Sequence, residues 1–142
     1  MEFSSMNIPC DEYHLEDYKL FFGDRILEIA LWDKGQNKIN YAITVDNYNA
    51  VQDAFSYINY VLSLDTPLKV GSVVCRKEYD KFIIKGVGGD RFSQVEKFKI
   101  EYYDMLNGLC LFLECKDMGG IIGYINVGEF IEKFKSKEWY IK

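Results

Sequence analysis

Any Cys–His or Ser–His chemistry in this chain must run through His14, its one histidine. Cys10 lies four residues before it, a spacing that can place thiol and imidazole on one helical face. A nucleophile of that kind needs a base beside it and a third group that orients the base. No orienting group is evident next to His14, so the residue types are present without the constellation.

Structural metal sites draw Cys and His from closely paired positions. Neither CxxC nor HxxxH occurs, and Cys110 and Cys115, five apart, would face opposite sides of a strand. Gly86-Val87-Gly88-Gly89 follows an apolar run, but the spacing is not GxGxxG and no GK[ST] helix start follows. It reads as a glycine hairpin loop. Carboxylate pairs exist at Glu12 with Glu16 and at Asp46 with Asp53. Acid–base work would need one of them in a dry pocket, whereas Asp46 and Asp53 read as helix-start and solvent-face residues. No GxSxG elbow occurs. The expectation is a chain without catalytic residues, metal or cofactor.

Tyrosine is the compositional excess, with 11 Tyr beside 10 Phe. The phenylalanines fall on apolar faces. Tyr57 and Tyr60 flank the stripe of the main helical pattern, and Tyr13 and Tyr18 sit among N-terminal acids. A phenol offers a rigid apolar ring with a polar tip, which suits protein interfaces.

Charge sharpens that reading. The net charge is −5, and Glu2, Asp11, Glu12, Glu16 and Asp17 precede the first Lys or Arg. The remainder is therefore neutral, and residues 1–17 read as an acidic, loosely ordered segment. An acidic chain gains nothing by neutralising phosphates, so direct nucleic-acid binding is disfavoured and a basic protein partner fits better. No run approaches the roughly 20 apolar residues of a membrane span, and Met1–Cys10 lacks the pattern of a secretory signal. Cys10, Cys75, Cys110 and Cys115 then read as free thiols in a reducing, cytoplasmic setting.

The elements that must position these residues follow from periodicity. Arg25–Trp32 places Leu27, Ile29 and Leu31 on one face and Ile26, Ala30 and Trp32 on the other, which predicts a central, covered strand. Before it, Gly23-Asp24 fits a type II′ hairpin turn, although residues 11–22 also read as a short helix. Ile39–Val45 alternates as a half-buried antiparallel strand. Val51, Ala54, Phe55, Ile58, Val61 and Leu62 recur at helical spacing, giving a main helix over about 48–63.

Short strands are expected around Val73–Cys75, Phe82–Ile84 and residues 97–102. An Asn107-Gly108 type I′ turn leads to a return strand of Leu109, Leu111 and Leu113, and a further strand spans Ile121–Ile125. Asn126, with Glu129 three residues on, caps a short helix over about 127–136. Trp139-Tyr140-Ile141 closes the chain as an edge strand.

Hairpins without regular βαβ alternation indicate an α+β fold. Residues 1–142 read as a single domain, a mostly antiparallel sheet of about six or seven strands with both helices packed on it. The functional expectation is a non-catalytic protein-binding module, its surface built from Asp11, Glu12, Tyr13, Glu16, Asp17, Tyr18, Tyr57 and Tyr60. In size and composition such a chain resembles toxin-neutralising immunity proteins and phage-encoded inhibitors of host defence. The alternative is a small-molecule site between sheet and helix, lined by Trp32, Tyr41 and Tyr102.

Overall fold

The computed structural model describes residues 5–32, 39–76, 81–88, 105–106, 108–115 and 119–141. Among the described residues the fold is α+β, with two antiparallel sheets of three and five strands and three α-helices. The chain forms two compact units, Met1–Ala50 with Lys99–Asp104, and Val51–Phe98 with Met105–Lys142. A single sheet was the expectation. Hydrophobic period fixes which face a strand buries, not which strands share its ladder.

In the first unit, β1 (Met6–Asp11), β2 (Ile26–Trp32) and β3 (Asn40–Val45) form a sheet of order β1-β3-β2. Residues 6–11 of the acidic N-terminal segment form β1, with Ile8 and Cys10 buried on alternate positions. Pro9 is tolerated because β1 ends the sheet, where a missing N–H breaks no central ladder.

Residues 15–22 take the helical alternative as α1 (Leu15–Phe22). Tyr18 and Phe22, four apart, bury one stripe of it and meet edge to face at 6.0 Å. Gly23 ends the helix at φ 54°, ψ −123°, the geometry of the first II′ position, so the glycine signal is real but joins helix to strand. The Arg25 side chain donates to the carbonyls of Asp46 (3.2 Å) and Asn47 (3.0 Å), tying this junction to the end of β3.

β2 departs from expectation. It lies at the end of its sheet, a register shift separates Ile26 from Glu28, and Leu27, Ile29 and Leu31 are exposed.

In the second unit, β4 (Val73–Arg76), β5 (Lys81–Gly88), β6 (Cys110–Cys115), β7 (Ile121–Asn126) and β8 (Trp139–Ile141) form a sheet of order β7-β6-β5-β4-β8. Gly86 and Gly88 belong to β5 rather than to a loop, with a register shift between Ile84 and Gly86. The expected strand over 97–102 and the turn at Asn107 lie outside the described residues.

Helix α2 (Ala50–Leu62) buries Asp53, Ala54, Tyr57 and Ile58, so its inner stripe is rotated from the expected one. Asp53, read as a solvent-face residue, is buried. Asn59 anchors the chain after α2 with its amide, donating to the Leu68 carbonyl (3.0 Å) and accepting from its N–H (2.7 Å).

Helix α3 (Val127–Lys135) starts as expected, with the Asn126 side chain accepting from the N–H groups of Gly128 (2.9 Å) and Glu129 (3.4 Å). Trp139 stacks on Phe82 at 5.5 Å and takes the edge of Phe130 at 5.6 Å. Cys10, Cys75 and Cys115 are buried and Cys110 is half-buried. Among the described residues no helix is long and apolar enough to cross a membrane.

Candidate functional site

Asp11, Glu12, Tyr13, Glu16 and Asp17 come together where β1 turns into α1. Asp11 closes the strand, and its Oδ1 accepts the backbone N–H of His14 at 2.9 Å. That bond is the short side-chain-to-backbone clasp for which Asp is favoured at turns. The His14 ring turns back onto the same carboxylate, with Nδ1 2.7 Å from Oδ1 and 2.9 Å from Oδ2. Two independent contacts therefore fix a turn only three residues long.

The clasp pushes the intervening side chains outward. Glu12 is exposed and Tyr13 is 88% exposed. Glu16 and Asp17 are exposed in the first turn of α1, where the free N–H groups and the helix dipole favour negative charge. Lys19 pairs with Glu16 at 3.2 Å, but the pair is solvent-exposed and worth little. Leu20 adds a 70% exposed apolar side chain to the outward side of α1, while Tyr18 and Phe22 hold the inward side. The result is a phenol and an aliphatic group among carboxylates, carried on the turn between a strand and a helix.

His14 is oriented after all, by Asp11 three residues before it, at a D-x-x-H spacing that permits the pair without dictating it. Cys10 is buried, and its Sγ donates to the Asp11 carbonyl at 3.2 Å. The imidazole thus serves the turn. Among the described residues no group of three or more His, Cys, Asp and Glu could hold a metal ion.

Three of the expected surface tyrosines need correction or separation. Tyr18 is fully buried beneath α1, and Tyr57 is buried on the inner stripe of α2. Both present their rings to the core, since a phenol is apolar enough to fill one when its hydroxyl is accommodated. Tyr60 is exposed and belongs to the second unit.

The alternative pocket does not assemble from its described members. Leu31 pairs with Tyr41 and Trp32 with Asn40, so Trp32 and Tyr41 point to opposite faces of their sheet. Tyr102 lies outside the described residues. Comparison with protein-family models, with curated proteins and with solved structures finds no match for this chain.

Proposed function

We propose that the chain is a non-catalytic protein-binding module that engages a basic protein through the β1–α1 turn, as an inhibitor or immunity-type protein would. The observation that carries this reading is Tyr13, 88% exposed on a clasped turn and flanked by the exposed carboxylates of Glu12, Glu16 and Asp17. A large exposed phenol has no role in packing, whereas aromatic side chains dominate the energetics of interfaces. The surrounding acids would steer a basic partner and fix its register. The Asp11–His14 clasp lowers the cost of ordering the turn on binding. Three buried cysteines and one half-buried fit a reducing, cytoplasmic site of action.

The test is affinity capture with the intact chain at low and high salt, repeated with Tyr13→Ala and with Glu12, Glu16 and Asp17 changed together to Lys. The reading expects one stoichiometric partner, lost on charge reversal and weakened about 30-fold or more by Tyr13→Ala, as for an interface hot spot. A partner held equally well by both variants would refute the turn as the site.

A further inference from the structure

The Asp11 carboxylate fixes where the hydrogen of the His14 ring sits. Oδ1 accepts the backbone N–H of His14 at 2.9 Å. Ring Nδ1 lies 2.7 Å from the same oxygen and 2.9 Å from Oδ2. An ionised carboxylate only accepts, so Nδ1 is the nitrogen that donates. A neutral imidazole carries one N–H, and its other nitrogen is then an acceptor. In His14 that acceptor is Nε2. Among the described residues Nε2 has no hydrogen-bond partner, and the side chain is 38% exposed.

The groups around the ring suit a cation. Strand β1 contributes Asp11, the turn contributes Glu12, and the first turn of α1 contributes Glu16 and Asp17. Lys19, the one base on α1, pairs with Glu16 at 3.2 Å. Strand β3, paired with β1, sets neutral Asn40 opposite Asp11 and Tyr41 opposite Cys10. Exposed carboxylates draw a cation from many directions, whereas a ring nitrogen held by a clasp accepts best along one.

Resting on the reading of this turn as the site for a basic protein, we propose that His14 Nε2 accepts a hydrogen bond from a Lys or Arg side chain of that partner, and that protonation of the ring releases it. Imidazole is the side chain whose charge ordinarily changes between about pH 5 and pH 8. A second proton goes to Nε2, because Nδ1 already carries one. It turns the acceptor into a donor and sets a positive charge against a positive partner. The clasp survives, because Nδ1–H still meets the Asp11 carboxylate. Affinity therefore falls as pH falls, while the turn keeps its shape. His14 is the only histidine in the chain, so one substitution isolates the effect.

The ring itself is read by nitrogen NMR of the isotopically labelled full chain at the upper end of that pH range. Hydrogen should be found on Nδ1, with Nε2 bare. Asp11→Asn, whose amide donates as well as accepts, should bring in the other tautomer.

Binding is read by titrating the chain with a decalysine peptide at fixed ionic strength, from the upper to the lower end of the same range. Wild type should lose about tenfold or more in affinity, the worth of a hydrogen bond to a charged group. His14→Gln keeps a donor and an acceptor but cannot titrate, so its affinity should hold level. A ring with its hydrogen on Nε2, or a wild type as indifferent to acid as His14→Gln, would overturn this proposal alone. A wild type that ignores the peptide, or a chain with Glu12, Glu16 and Asp17 changed to Lys that binds it equally well, would overturn the reading of the turn with it.

Discussion

Replacing Gly128 by Ala should destabilise the protein, although alanine is the better helix former. Gly128 lies in the first turn of α3, where its N–H donates to the Leu106 carbonyl at 3.0 Å and to the Asn126 side chain at 2.9 Å. A Cβ at this position falls 2.7 Å from the Leu106 carbonyl oxygen, 3.2 Å from Asn126 Oδ1 and 3.4 Å from Leu106 Cβ. The closest of these is a backbone atom, so no side chain can rotate away to relieve the clash.

Intrinsic propensity favours Ala by at most about 1 kcal/mol. Forcing a methyl into packed structure costs about 1–3 kcal/mol. Shifting the helix start weakens hydrogen bonds worth about 0.5–1.5 kcal/mol each. The net expectation is a loss of about 1–3 kcal/mol, or roughly a 1 M fall in urea midpoint at a typical slope for a small domain.

Gly86→Ala is the matched control, because a Cβ there meets nothing within 4 Å. It should be neutral or stabilising by about 0.5–1 kcal/mol. Urea melts followed by circular dichroism give both values. A Gly128→Ala protein as stable as wild type would refute the close approach of α3 to Leu106.

Further perturbations probe other parts of the argument. Asn126→Ala should cost about 1 kcal/mol in the same melts by removing the α3 cap, while Asn126→Asp should retain most of the stability. Asn59→Ala leaves both backbone groups of buried Leu68 without their partner and should cost about 1–3 kcal/mol, measured by thermal unfolding. Tyr18→Ala should cost about 3–5 kcal/mol as a large core truncation, whereas Tyr13→Ala should change stability by less than about 0.5 kcal/mol. Equal effects of the two tyrosine variants would contradict their assignment to core and surface.

Local signals were legible in the sequence wherever a residue type answers to one local requirement. Asn126 caps α3 because short polar side chains accept from first-turn N–H groups, and Leu109, Leu111 and Leu113 are all buried around β6. What escaped depends on partners distant in sequence. Leu27, Ile29 and Leu31 have the alternation of a covered strand, yet nothing in that alternation fixes the position of β2 at a sheet end.

The short run around Pro9 hid β1, because proline argues against a strand unless the strand is an edge. Tyr57 flanks the expected apolar stripe and Tyr18 sits among acids, so both read as surface residues, yet both rings are buried. At the candidate site, the exposed acids and Tyr13 could be read from composition. The Asp11–His14 clasp is set by a turn geometry that the residue types permit but do not dictate.

The central claim is that the β1–α1 turn is where another protein binds. Amide chemical-shift mapping of the isotopically labelled chain, titrated with the partner it captures, tests this most directly. The expected result is perturbation concentrated at Glu12 to Leu20, abolished by charge reversal of Glu12, Glu16 and Asp17. Perturbation confined to the second unit, with the turn unmoved, would contradict it.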